Sequence, residues 1–156
     1  MPSKVTKPNT SAYPKLMSIG IDIGKDVFHI VGFDHNGKVV LRRKFRRLEL
    51  DAVFEKLPRC IVGMEACLSA HFVSRRLRAL GFEPRIIPAI YVKPFLKGQK
   101  NDYNDAEAIA EAALRPNLKL VKEKTQQQLD LQACHRRRVV SFSRSEVLSC
   151  QSHRSR

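Results

Sequence analysis

The chain has 156 residues, of which 43% are hydrophobic, and carries a net charge of +14 with a pI near 10.1. That length accommodates one domain with a true core and hardly two, and the apolar fraction excludes a disordered chain. The charge points to polyanionic partners, while no long uncharged apolar run and no N-terminal secretory segment supports a membrane role.

Residues 1–16 are polar, carry Pro2, Pro8 and Pro14, and read as a disordered leader. The stretch from Met17 to Asp26 then opens the ordered pattern. Ile19, Ile21 and Ile23 alternate with small or acidic residues, the period of a strand. Asp22 therefore faces away from the isoleucines, where a carboxylate is costly unless it is hydrogen-bonded, paired or bound to a cation. Val27 to Phe33 reads as a second strand, Asn36-Gly37 as a hairpin turn, and Lys38 to Phe45 as a third strand with Val39, Leu41 and Phe45 on one face. Asp26 reads as a solvated turn residue, with membership of the acidic site as the alternative.

Leu48 to Leu57 has helical spacing and stops at Pro58. Cys60 to Glu65 is a fourth strand that ends in an acid. Its helical connection suits parallel pairing with the first. Ser69 is the expected N-cap of the next helix, with Phe72, Val73, Leu77 and Leu80 as its apolar stripe and Gly81 as its stop. Arg75, Arg76 and Arg78 fall on its outer face, as a solvated basic face or a phosphate contact. Pro84 to Pro88 is a short edge strand, and Tyr91 to Lys100 an irregular basic segment. Asn104 and Glu107 resemble a capping box for an alanine-rich helix that ends before Pro116. Leu118 to Val121 suggests a small strand, and Thr125 to Cys134 starts a further helix. From His135 the text loses its period and becomes an aberrant basic tail. The expected segments are the leader over 1–16, a folded domain over 17–122, and a helix start with its aberrant tail over 123–156.

Cys60, Cys67, Cys134 and Cys150 lack C-x-x-C spacing and read as reduced thiols. His29, His35 and His71 have no motif partners and read as strand, turn and helix-surface residues. In order, the elements give the connectivity of an α/β, ribonuclease-H-like mixed sheet of five strands flanked by helices. In such a sheet the first and fourth strands are neighbours, so Asp22 lies beside Glu65. Asp102 and Asp105 are three apart and share a helix face. These four carboxylates together suit Mg2+ or Mn2+, hard cations that take oxygen ligands. Two such ions roughly 4 Å apart can activate a nucleophile and stabilise a leaving oxygen in phosphodiester cleavage. Without metal the same groups repel and raise one another's pKa. The basic residues expected to contact nucleic acid are Lys25, Arg75, Arg76, Lys93, Lys97 and Lys100.

The runs Ile19 to Lys25, Met64 to Cys67, Tyr91 to Phe95 and Lys100 to Ile109 resemble, in order and spacing, the N-terminal RuvC-like domain of the DEDD-type insertion-sequence transposases, relatives of the Piv DNA invertase. The resemblance covers residues 17–134. It implies that Asp22, Glu65, Asp102 and Asp105 form the acidic tetrad that binds divalent metal for DNA strand cleavage and transfer. It also implies DNA as partner, a structured guide RNA, homo-oligomers of the full-length protein, and a bacterial cytoplasmic, nucleoid-associated location. Members of the family continue through a helical spacer into a domain with a nucleophilic serine. This chain ends first, and Ser141, Ser143, Ser145 and Ser149 do not match that serine's motif. The expectation is therefore a C-terminally truncated transposase, inactive alone, with a frameshift near His135 to Arg138. Two other readings are an actin-like or sugar-kinase-type ATPase domain, and a non-catalytic basic nucleic-acid-binding protein. Against the first, Lys25 follows Gly24 where a phosphate loop wants Ser or Thr.

Overall fold

The computed structural model describes residues 13, 15–96, 98 and 101–136. The expected leader, apart from Tyr13, Lys15 and Leu16, and the tail beyond Arg136 lie outside these residues, as do Lys97 and Lys100. The chain divides into two compact units, Met1–Glu123 and Lys124–Arg156.

The first unit is built on a five-stranded mixed sheet in the order β3-β2-β1-β4-β5. Strands β1 (Leu16–Ile23), β2 (Val27–Asp34) and β3 (Val39–Arg46) form an antiparallel meander. The second hairpin is closed by side-chain chemistry that the Asn-Gly pair announces. Asp34 Oδ1 accepts hydrogen bonds from the backbone N–H groups of Asn36 and Lys38, at 2.8 and 2.9 Å, and Gly37 adopts a φ of 73°. Strands β4 (Ile61–Glu65) and β5 (Glu83–Ile87) add in parallel, β4 directly beside β1.

Alternation along β1 gives the sheet two different faces. Ile19 and Ile21 point into a core with Phe28, Ile30, Phe45, Val53 and Phe54. Helices α1 (Leu50–Phe54) and α2 (Leu68–Ala79) cover that side, the latter through Val73 and Leu77. Gly20 points the other way, toward α4 (Asp102–Ala113). Gly20 and Gly63 are register partners across β1 and β4, and together they open a slot for that helix. A Cβ on Gly20 would lie 2.0 Å from the Ala106 carbonyl oxygen, and one on Gly63 would lie 2.7 Å from Ala113 Cβ. Ala106, Ala110 and Ala113 complete the fit from the helix side and are fully buried. Glycine facing alanine thus brings α4 close to the sheet. A ribonuclease-H-like α/β fold is what results, with helices on both faces of a mixed sheet.

Several local expectations need correction. The helix expected over Leu48 to Leu57 is a 3-10 turn, Arg47–Glu49, followed by the short α1; Leu50, Val53, Phe54 and Leu57 reach the core, while Leu48 is exposed. Ser69 is not the N-cap of α2. Cys67 occupies that place in an extended conformation, and the Ser69 hydroxyl accepts from the Arg47 guanidinium at 3.1 Å. His71 is buried rather than on the helix surface, and Phe72 is exposed, since the buried side of α2 comprises Ala70, His71, Val73, Ser74 and Leu77. The segment after β5 is not irregular throughout: it forms α3 (Ala89–Val92) and a 3-10 turn, Lys93–Phe95. The cap of α4 is Asn101, three residues before the expected one; it is extended, and its side chain accepts from the Tyr103 backbone N–H. Leu118 to Val121 is not a strand, although the Val121 N–H donates to the Ile86 carbonyl.

In the second unit a helix, α5, spans residues 126–136. Thr125 and Gln128 cap it reciprocally, each side chain accepting from the other's backbone N–H, as a capping box does.

Candidate metal centre

The acidic residues converge at one end of the sheet, on the α4 side. Asp22 shares the face of Gly20 and sits near the end of β1. The parallel register pairs Ile21 with Met64, so the next residues along, Asp22 and Glu65, are lateral neighbours. The close docking of α4 brings its first turn, with Asp102 and Asp105, to the same place.

Within this cluster, one carboxylate oxygen each from Asp22 and Asp102 and a ring nitrogen of His29 all lie within 4.8 Å of one another. His29 is the residue that sequence reasoning missed. It faces Asp22 directly across the β1–β2 hairpin. Its Nδ1 lies 3.6 Å from Asp102 Oδ2, and its ring meets Tyr103 edge to face at 4.9 Å. The signal existed in the text: a hairpin closed over Gly24 to Asp26 sets the register and so pairs position 22 with position 29. Gly24 is required there, since a Cβ would lie 2.3 Å from the Val27 carbonyl oxygen.

Glu65 and Asp105 stand outside the tightest group but inside its field. Burial and the charges of Asp102, Asp105 and Glu65 push the Asp22 carboxyl above its ordinary value of 3.8, with His29 pulling the other way. Glu65 is exposed and Asp105 half-buried. The donor set therefore fits a divalent cation: hard oxygens predominate, and their mutual repulsion is the feature that a bound cation relieves.

The expected nucleic-acid contacts are more dispersed. Lys25 is exposed in the turn between β1 and β2, at the acidic end of the sheet, and Lys93 is exposed in the 3-10 turn after α3. Arg75 and Arg76 lie on α2, on the opposite side of the sheet from α4, and Arg76 is ion-paired with Asp51. Arg78 likewise pairs with Glu123. Among the described residues Cys60, Cys67 and Cys134 are free thiols, and burial pushes Cys60 up to about 12. No helix among these residues is long and apolar enough to cross a membrane.

Fold and site together define a ribonuclease-H-like domain with carboxylates gathered at the ends of two adjacent strands, β1 and β4. Comparison with known proteins makes the assignment specific. Residues 19–150 match the family model of the DEDD-type IS110 transposases, and the chain belongs to that family. The match runs past Cys134, further than the motifs alone carry. The chain is 46% identical over 121 residues to a protein named as a probable family 20 transposase in Pseudomonas aeruginosa, covering 78% of this chain and 36% of that one. It is 42% identical over 123 residues to the transposase for insertion sequence element IS1328 of Yersinia enterocolitica, covering 79% and 37%. To the transposase for IS1111A of Coxiella burnetii it is 42% identical over 115 residues, covering 74% and 32%. The chain thus spans about a third of the length of these relatives. Family membership displaces the ATPase-domain reading.

Proposed function

We propose that the unit through Glu123 is the metal-binding catalytic domain of an insertion-sequence transposase and that its substrate is DNA. Asp22, Glu65, Asp102 and Asp105 would hold Mg2+ or Mn2+, with His29 beside them. The observation that carries this reading is the gathering of Asp22 with three further carboxylates drawn from β4 and α4, the ligand atoms of Asp22, Asp102 and His29 lying within 4.8 Å of one another. Like charges are costly to assemble, and a site that gathers them without a counter-charge works against its own fold. A divalent cation bound there supplies Lewis-acid stabilisation at a phosphodiester.

The chain's own residues then have distinct tasks. Asp22 presents its oxygens from a rigid central strand. Asp102 and Asp105 present theirs from a helix whose position is set by the Gly20–Gly63 slot. Such placement on regular elements keeps ligands in geometry better than loops do. His29 stands beside Asp102 from across the hairpin, its Nδ1 3.6 Å from the carboxylate. Strand transfer, a guide RNA, self-association and a cytoplasmic, nucleoid-associated location extend this reading, on the strength of family membership.

Thermal unfolding tests it. Magnesium or manganese should raise the Tm of the wild type, because a ligand that binds only the folded state stabilises it. Asp102→Ala should lose that shift. A wild-type Tm indifferent to both cations would overturn the metal reading.

A further inference from the structure

The third strand carries a row of cations that the proposed function leaves unused. The sequence of β3 from Leu41 is Leu-Arg-Arg-Lys-Phe-Arg, and its buried residues are Leu41 and Phe45, which face the core under α1 and α2. Strand alternation therefore turns Arg42, Lys44 and Arg46 to the α4 side and Arg43 to the core side, where it is exposed at the margin. An independent contact confirms the direction: Arg42 reaches across to Glu107 of α4, at 2.9 Å.

The register then places this row beside the acidic cluster. Lys44 pairs with His29, and His29 pairs with Asp22, so the three stand in one line across the sheet. Arg42 pairs with Val31 and Arg46 with Val27, above and below that line. All three cations are exposed, and neither Lys44 nor Arg46 is in an ion pair with a carboxylate of the described residues. On one strand face, alternate residues are about 6.6 Å apart, so the row extends about 13 Å. A nucleic-acid strand carries one negative charge about every 3.4 Å of axis.

We propose that Arg42, Lys44 and Arg46 form a phosphate track that seats a polynucleotide backbone on β3 and leads it to the acidic cluster. The inference rests on the proposed function for the direction of that lead, not for the binding itself. An anionic backbone would not approach the carboxylates unaided. A basic row on the same face, one strand from His29, supplies the missing attraction. Charged residues on an edge strand also discourage edge-to-edge pairing, but that role makes no distinction between the two faces of β3, whereas the track does.

The test uses this difference. Fluorescence anisotropy of the whole chain with a labelled DNA duplex, and with an RNA duplex of the same sequence, is followed across a salt series. The variants are Lys44→Ala, Lys44→Ala/Arg46→Ala, and Arg43→Ala as a neighbour of equal charge on the opposite face. The expected loss in the slope of log K against log salt is about 1 for the first variant and about 2 for the second, with no change for Arg43→Ala. Thermal melts verify that each variant is folded. A loss restricted to DNA, or to RNA, names the source of the backbone. Equal losses for Arg43→Ala and Lys44→Ala, or no binding of either duplex by the wild type, would overturn the track. The failures separate cleanly: an absent magnesium shift with intact Lys44 dependence removes the metal reading alone, and a present shift with equal Arg43 and Lys44 effects removes the track alone.

Discussion

Asp22 carries an unfavourable charge in the metal-free protein, and the consequence has a definite sign. Its folded pKa lies above 3.8, so the folded state holds the proton more tightly than the unfolded chain does. Metal-free stability should fall as pH rises from 3.8 through that raised value. Asp22→Asn removes the penalty. In chelator at pH 7 the variant should melt at or above the wild-type temperature, while losing the magnesium shift. Asp34 has the opposite sign. Hydrogen bonds from the Lys38 and Asn36 backbone N–H groups hold its carboxyl below 3.8. That contribution is complete above 3.8 and is lost as pH falls through the lower folded value, so Asp34→Ala should flatten the acid limb of a pH–Tm curve. His29 bears a ring nitrogen where magnesium prefers oxygen. His29→Ala should therefore weaken the magnesium shift without abolishing it, in contrast to Asp102→Ala. Thiol labelling gives a further check on local burial. Cys67 and Cys134, both exposed, should react at neutral pH, and Cys60 should react only on unfolding.

At the scale of elements, the decisive contact is between β1 and α4. Gly20→Ala would drive a Cβ onto the Ala106 carbonyl oxygen and to 2.4 Å from the Ala110 nitrogen, both backbone atoms that cannot swing aside. Overpacking of this kind costs about 2–3 kcal/mol. The prediction is a lower midpoint in urea together with a weakened magnesium shift, since a helix held off the sheet moves Asp102 and Asp105 away from Asp22. Asn101→Ala tests the same helix from its end and should cost about 1 kcal/mol through its lost cap. The helix itself was legible in the text through its alanines, but its cap was not: Asn101 and Asn104 are both sound caps in sequence, and the extended backbone at Asn101 chooses between them. The same ambiguity lay at α2, where Ser69 had the right chemistry but was drawn instead to Arg47 from another element.

For the whole molecule, the strand order and the meeting of Asp22 with Glu65 were readable because both follow from local patterns. Alternation gives each strand its faces, a glycine turn gives each hairpin its register, and a helical crossover makes β4 a parallel neighbour of β1. The basic composition likewise announced a polyanionic partner before any coordinate did. What it did not announce was where the cations would be free. Arg76 and Arg78, conspicuous in a run, are engaged with Asp51 and Glu123, carboxylates distant in sequence. Lys44 and Arg46, equally plain in the text, acquire meaning only from their place beside His29. The sequence by itself determined the periodicities, the turns and the identity of the acidic residues, since each depends on neighbours within a few positions. Only the tertiary structure decided that His29 meets Asp102, that His71 is buried, and which basic row shares the acidic face. Those outcomes depend on which surfaces the sheet and α4 bring together, and no single stretch of chain encodes them.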